Sequence, residues 1–337
     1  MAAKVMTTFA GLTKTGPGQI ALTQRQPRGL TSDLVRIAVA ATGVCGTDLH
    51  LAKDEYPSEP PVTMGHEISG TVTEVGANVS RDWLGVRVTC ETYFSTCGTC
   101  EWCRDGRRNL CPRRRSIGSF EDGGFAREVV VPAQNLHALP AHVDSIAGSL
   151  CEPLACVCQC LLDPPIVNAG DRVLVVGPGA MGLLSAQVAR AQGATVTCAG
   201  LAADASRLAV AEALDCRSAL AAEVHDEDFD VVVECSGSAG GLATALRAVR
   251  RAGSLVQVGI FGREVPVPFD QILYKELTVT SGFASTAASW RRAMELLNAR
   301  KVELAPLISD VVPLQEWQRA LGLVGSGSAL KVVIDPT

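Results

Sequence analysis

Cysteine, histidine and glutamate recur in this chain at spacings that suit metal ions. Cys97, Cys100, Cys103 and Cys111 form a C-x2-C-x2-C-x7-C run within fifteen residues. Four thiolates this close suit a closed, tetrahedral zinc site with Zn–S bonds of about 2.3 Å. Gly98 and Gly106 let the chain curl around such an ion. An iron–sulfur cluster is the chemical rival, but the last spacing differs from the bacterial ferredoxin pattern, and only one such set occurs. A closed site of four thiolates braces a loop and has no catalytic role by itself.

A second set is scattered. Cys45-Gly46-Thr47-Asp48-Leu49-His50, Gly65-His66-Glu67 and Cys151-Glu152-Pro153 are three separated segments rich in ligand types. A catalytic zinc takes about three ligands from distant segments and keeps one position open for water or substrate. Cys45 and His66 are the expected first two ligands. Either Glu67 or Glu152 completes the set, the other holding zinc-bound water or an outer contact. The neighbouring Cys151 is a further option. Taken singly each residue is a weak signal, and their joint occurrence carries the argument.

A third motif concerns phosphate. Gly177-Pro178-Gly179-Ala180-Met181-Gly182 is a G-x-G-x-x-G that follows an apolar run, Val173–Val176, and opens a stretch of helical spacing, Ala180–Gln192. Gly177 permits the tight turn, Gly179 a close approach of backbone to pyrophosphate, and Gly182 close helix–strand packing. The helix N-terminus then faces the anion. About 20 residues on, where an NAD-binding chain places an acid, stand Thr197-Cys198-Ala199-Gly200, with Asp204 a few residues later and Arg207 as a candidate for a 2′-phosphate. NAD and NADP both stay open. Glu234-Cys235-Ser236-Gly237 and Gly259-Ile260-Phe261-Gly262 follow later strands, so Ser236, Gly259 and Phe261 are candidates on the nicotinamide side.

The elements that must position these residues fall into two regimes. The chain has 337 residues, enough for two domains, and 32 glycines, as expected of a turn-rich α/β enzyme. The first 150 residues read as short β segments, among them Leu34–Val39 and Ile68–Val75. From Asp171 strands and helices alternate: strand-like Ala194–Cys198, helical Ala205–Leu214, strand-like Asp230–Val233, helical Gly241–Arg251, strand-like Ser254–Val258 and helical Arg291–Leu297. Such alternation implies a parallel sheet covered on both faces. The net charge of −5 argues against nucleic acid as a partner. The basic run Arg104–Arg115 reads as a solvated loop, and His137, His142 and His225 as structural or surface residues. Met1–Leu12 has no continuous apolar stretch, and Val173–Val188 is too short and too glycine-rich for a membrane span. Thirteen cysteines without a secretory signal point to a reducing, cytoplasmic compartment.

These motifs together resemble the zinc-containing medium-chain dehydrogenases, in the branch of the sorbitol (polyol) and threonine dehydrogenases. The resemblance rests on Cys45-Gly46-Thr47-Asp48-x-His50, Gly65-His66-Glu67, the Cys97/Cys100/Cys103/Cys111 lobe, Glu152-Pro153-Leu154 and Gly177-x-Gly179-x-x-Gly182. It implies a mostly β, GroES-like catalytic domain over 1–155, completed by 296–337. It further implies a Rossmann domain with a doubly wound parallel sheet over 156–295, and an active site in the cleft between the two. The expected cofactors are two zinc ions per chain, one catalytic and one structural, with NAD or NADP. Glu152 takes the place where other branches carry a Cys or Asp ligand. The expected reaction oxidises a secondary alcohol, polyol or hydroxy-amino substrate to the ketone. In it the zinc lowers the pKa of the substrate hydroxyl, a proton leaves through Thr47 and His50, and a hydride passes to the nicotinamide. An L-threonine 3-dehydrogenase-type activity is the alternative; a zinc-free quinone reductase or a non-enzymatic zinc module are remote ones. Sorbitol dehydrogenases carry an Arg-Tyr pair near Ser285-Thr286 that this chain lacks. A homodimer or homotetramer is the expected assembly.

Overall fold

The computed structural model describes residues 8–337. The reading of Met1–Leu12 as lacking an apolar leader falls mostly outside them. The chain divides into two compact units, Met1–Glu152 with Ile308–Thr337, and Pro153–Leu307.

In the first unit the strand Leu34–Gly43 is the hub of a seven-stranded sheet. It pairs antiparallel with Glu67–Val75, Glu128–Pro132 and Val332–Asp335. Val35, Ile37 and Val39 point into one core with Ile68, Val72, Val88 and Val129, the period of two that a half-buried strand requires. A second core gathers Leu12, Leu51, Met64, Phe125, Val332 and Ile334. The chain's tail returns here. Val333 sits opposite Gly43, and Val44 N–H donates to Val332 O at 2.9 Å, which brings Lys331 beside the segment that carries Cys45.

The second unit is a six-stranded, wholly parallel sheet. Its order is Arg217–Leu220, Thr195–Gly200, Arg172–Val176, Phe229–Glu234, Val249–Gln257, Thr278–Ser281. The central strands are almost continuously buried, Val173 to Val175 fully so, as strands covered on both faces must be. Helices Ala180–Ala191, Ala205–Ala213 and Ala239–Ala248 connect them. Val173–Val188 is thus a strand, a glycine turn and a helix. Among the described residues no helix is long and apolar enough to cross a membrane.

Two details depart from the sequence reading. The helix expected over Gly241–Arg251 stops at Ala248, and Val249 already belongs to the next strand. Its end is fixed by Lys275, whose buried ammonium donates to the carbonyls of Leu246, Arg247 and Val249 at 2.8, 3.0 and 2.9 Å. Periodicity cannot reveal a cap supplied from so far along the chain. The edge strand Thr278–Ser281 was not expected at all. It is mostly exposed, so it shows no alternation to read.

Candidate active site

The four-cysteine lobe forms as its spacing suggests. The sulfurs of Cys97, Cys100, Cys103 and Cys111 lie within 4.8 Å of one another. Gly98 and Gly106 take φ of 69° and 75°, the left-handed turns that fold the loop back on itself. Backbone amides point at the sulfurs: Cys97 N–H donates to Cys111 Sγ at 3.4 Å and Cys100 N–H to Cys97 Sγ at 3.3 Å. Amide donation from Thr99 and Cys100 holds the Cys97 thiol below its ordinary range, which favours the thiolate a metal needs. The basic run is only partly a solvated face. Arg104 and Arg107 are exposed, whereas Arg113 donates to Thr99 at 3.3 Å, Arg114 to the Asn109 carbonyl at 2.6 Å, and Arg115 to Glu59 and Glu121 at 2.8 Å.

The scattered set also converges. Cys45 Sγ, a His66 ring nitrogen and a Glu67 carboxylate oxygen lie within 4.8 Å of one another. Cys45 caps the N-terminus of the helix Gly46–Ala52, and Asp48 in its first turn accepts the Cys45 N–H at 2.9 Å. Gly43 makes room on the neighbouring strand, since a Cβ there would fall 2.0 Å from Glu67 Oε2.

Two charged residues that the sequence reading gave no role complete the surroundings. Asp48 is fully buried, with Oδ1 3.8 Å from His66 Nδ1 and no hydrogen-bond partner among the described residues. Lys331 is buried too, its Nζ 2.6 Å from Glu67 Oε1, 2.5 Å from Oε2 and 3.0 Å from the Val44 carbonyl. Asp48 lies inside the Cys45–His50 motif. For Lys331 the only signal was a lone charge in the apolar tail Leu330–Ile334. Burial works against charge on His66, but the hydrogen bond to Cys45 and the charges of Asp48, Cys45 and Glu152 outweigh it and hold the imidazole well above its ordinary value.

Glu152 stands outside this close trio. Its Oε1 accepts from Thr92 Oγ1 at 3.0 Å, and its charge still acts on His66 and Lys331. Cys151 is fully buried outside the cluster of ligand atoms, and burial pushes its thiol up to about 12. Thr47 Oγ1 lies 3.6 Å from Cys45 Sγ. His50, 40% exposed, places Nδ1 2.6 Å from Glu55 Oε2.

In the second unit the glycine motif has the expected form. Gly177 has φ 98°, and a Cβ on Gly182 would fall 2.0 Å from the Gly177 carbonyl, so close helix–strand packing demands glycine there. Gly179 caps the helix that Ala180, Met181 and Gly182 open, and the space beside it is clear. That clear space and the free helix end form the cradle a pyrophosphate requires. Ser236 packs against Gly177, its N–H donating at 2.8 Å to the buried carboxylate of Glu234. Gly259 N–H donates to the Glu234 carbonyl at 2.8 Å, so Glu234 ties together the two loops that carry Ser236 and Gly259. Phe261 packs partly buried on the sheet's core. Gly200 ends the second strand, and Asp204 and Arg207 pair at 3.6 Å just beyond it. Ser285 accepts the Trp290 indole N–H at 3.0 Å, and Thr286 donates to Gln159 at 2.7 Å, so both are buried scaffold residues.

Comparison with known proteins agrees with this architecture. A model of the alcohol dehydrogenase GroES-like domain matches residues 31–141, and one of zinc-binding dehydrogenases matches 180–299. A sorbitol dehydrogenase from Halalkalibacterium halodurans is 38% identical, the match spanning 96% of this chain and 98% of that one. A D-arabitol-phosphate dehydrogenase from Enterococcus avium is 34% identical, with 97% of each covered. A solved structure from Sinorhizobium meliloti 1021, bound to NADP, superposes with a TM-score of 0.89 at 32% identity, covering 98% of this chain and 100% of that one. The chain belongs to the zinc-dependent medium-chain dehydrogenase family, in its polyol and threonine dehydrogenase-like branch, and is an oxidoreductase acting on CH–OH groups with NAD or NADP.

Proposed function

We propose that the chain oxidises a secondary hydroxyl of a polyol to the ketone at a zinc ion held by Cys45, His66 and Glu67, with a second, structural zinc in the Cys97/Cys100/Cys103/Cys111 lobe. The convergence of a thiol from one segment with an imidazole and a carboxylate from another carries this reading. One sulfur, one nitrogen and one oxygen donor are the mixed set of a catalytic zinc with an open position, whereas four sulfurs are the set of a closed one. A zinc bound there supplies a Lewis acid that lowers the pKa of the substrate hydroxyl.

The rest falls to the chain's own side chains. Asp48 acts on the His66 ring through its charge, since 3.8 Å is too far for a hydrogen bond. Lys331 clamps Glu67 as a carboxylate. Glu152, tethered by Thr92, offers a second acceptor near the trio, outside the ligand set. Thr47 beside Cys45 starts the proton's way out, and His50, exposed and oriented by Glu55, ends it in solvent. In the second unit Gly177, Gly179, Ala180, Met181 and Gly182 hold the cofactor's pyrophosphate, with Ser236, Gly259 and Phe261 toward its nicotinamide end.

A polyol is favoured by the sorbitol and D-arabitol-phosphate dehydrogenase relatives; the missing Arg-Tyr pair argues against sorbitol itself. A cytoplasmic location is in keeping with thirteen free thiols. A homodimer or homotetramer is in keeping with the unpaired edge strand Thr278–Ser281 and the exposed Leu273 and Tyr274 of the second unit. The test is a panel of polyols, polyol phosphates, simple secondary alcohols and L-threonine, followed by reduced-nicotinamide absorbance, with zinc counted on the same sample. Turnover of polyols with two zincs per chain is expected. Turnover of L-threonine alone, or an active enzyme with no zinc, would overturn the reading.

A further inference from the structure

One buried ionisable group of the parallel sheet takes no part in the ligand sets or in the proton's way out, the carboxylate of Glu234. Any role for it in the reaction rests on the second unit's being a dinucleotide site.

Glu234 ends the strand Phe229–Glu234 and lies opposite Val176, the last residue of Arg172–Val176. Between these two strands the sheet reverses its order. Thr195–Gly200 and Arg217–Leu220 continue on one side, Val249–Gln257 and Thr278–Ser281 on the other. A dinucleotide lies across the carboxyl ends of the strands at such a reversal, one nucleotide over each half. The phosphate turn opens the first half, so Glu234 stands at the strand ends of the half that takes the nicotinamide nucleotide.

The carboxylate is fully buried, and its hydrogen-bond partners are neutral. Oε1 accepts the Ser236 N–H at 2.8 Å and the Ser236 hydroxyl, and Oε2 accepts the Gly237 N–H at 3.3 Å. An amide donating to each oxygen is the pattern of an ionised carboxyl group. Among the described residues no cation forms an ion pair with it. Two glycines make room for it: a Cβ would fall 3.0 Å from Oε1 on Gly241 and 2.6 Å from Oε2 on Gly259. Gly241 lies in the first turn of the helix Ala239–Ala248, whose positive end steadies the charge. Ser236, which holds the carboxylate, is itself exposed, so one residue separates the buried charge from solvent at the strand ends. Amide and helix dipoles stabilise a charge without cancelling it, and in a low dielectric its field carries far. The oxidised nicotinamide ring is positively charged and the reduced ring is neutral.

We propose that Glu234 is a fixed negative charge that favours the oxidised cofactor over the reduced one, so that the hydride acceptor is held and the reduced product released. It acts through its charge, across Ser236. Calorimetric titration of the zinc-loaded enzyme with NADP and NADPH, and with NAD and NADH, gives the ratio of dissociation constants within the pair that binds more tightly. Glu234→Gln removes the charge at nearly constant shape and should shift this ratio about ten-fold toward the reduced form. Glu234→Asp keeps the charge on a shorter side chain, so it should weaken both forms alike and move the ratio less than about two-fold. If Glu234→Gln does not fold, Glu234→Met, neutral and of similar length, takes its place in the same titration. A merely structural role would weaken both forms equally in every variant. A folded neutral variant with an unchanged ratio would therefore overturn the proposal, and so would an Asp variant that shifts the ratio as far as the neutral one. If the unaltered enzyme bound neither dinucleotide, the reading of the unit itself would fall.

Discussion

The two clusters of metal-ligating side chains in the first unit are built on opposite plans. The four-cysteine lobe draws all its donors from one fifteen-residue loop, Cys97–Cys111, and backbone amides donate to its sulfurs. The Cys45/His66/Glu67 cluster draws its donors from two separated segments, and Lys331 from the far end of the chain holds Glu67. Its neighbours are buried charges, Asp48 and Lys331, rather than amides. A local loop of like donors can close around an ion and shield it. A cluster of unlike donors gathered from separate elements can leave one direction open and surround each ligand differently. On the function proposed above, the first plan serves stability and the second serves chemistry.

Removing a donor from each cluster is the sharpest way to break this contrast, and the largest effect belongs to the scattered one. Cys45→Ala or His66→Ala should bring turnover down to background and lower the zinc content from two ions to one, with little change in melting temperature. Turnover assays, metal analysis and thermal denaturation on the same preparation decide it. A Cys45→Ala enzyme with normal turnover would remove the metal role from this cluster.

The same contrast explains what was legible in the sequence. Cys97, Cys100, Cys103 and Cys111 announce themselves because their spacing is the geometry. The parallel sheet was legible for a similar reason: runs such as Val173–Val176 are buried on both faces, and Gly177–Gly182 is a contiguous turn. Cys45, His66 and Glu67 were legible only jointly, and the choice between Glu67 and Glu152 was not. In the fold it is Glu67 that lies close to both Cys45 and His66, across from Gly43 on the neighbouring strand, a pairing that spacing does not encode. Lys331 shows in the sequence only as a lone charge in an apolar tail, because its partner Glu67 is 264 positions away. The cap that Lys275 places on Leu246, Arg247 and Val249 was hidden in the same way, and it shortened an expected helix. Local chemistry is written in spacing; pairings across the sheet are written only in the fold.

Lys331 sharpens the comparison next. Lys331→Met removes a buried cation of similar length and leaves the Glu67 carboxylate, 1% exposed, with its charge uncompensated. Breaking such a pair from one side costs about 3–5 kcal/mol. Denaturant unfolding of the zinc-free protein should report a loss of that order. The double variant Lys331→Met/Glu67→Gln should regain much of it, because no buried charge then remains. Equal stability of Lys331→Met and the unaltered protein would mean that Glu67 is neutral in the folded chain, and the cluster's charge would have to be reassigned.

The smallest effect is expected at the lobe, and it separates bracing from chemistry. Cys103→Ser leaves three sulfurs, too few to close a tetrahedral site, so the second zinc should be lost. An ion joining Cys97 to Cys111 restrains the unfolded chain much as a disulfide across the same loop would, by about 3 kcal/mol. Part of this loss is confined to the loop itself, which opens while the sheet around Leu34–Gly43 stays folded. The expected outcome is therefore a fall in melting temperature of about 10 °C or less, with kcat at 25 °C close to that of the unaltered enzyme. Scanning calorimetry and kinetics on one preparation, with zinc counted, check both halves. An unchanged melting temperature with the lobe's zinc gone would deny the lobe its bracing role. A collapse of kcat without loss of fold would give this loop a part in the chemistry and erase the contrast between the two plans.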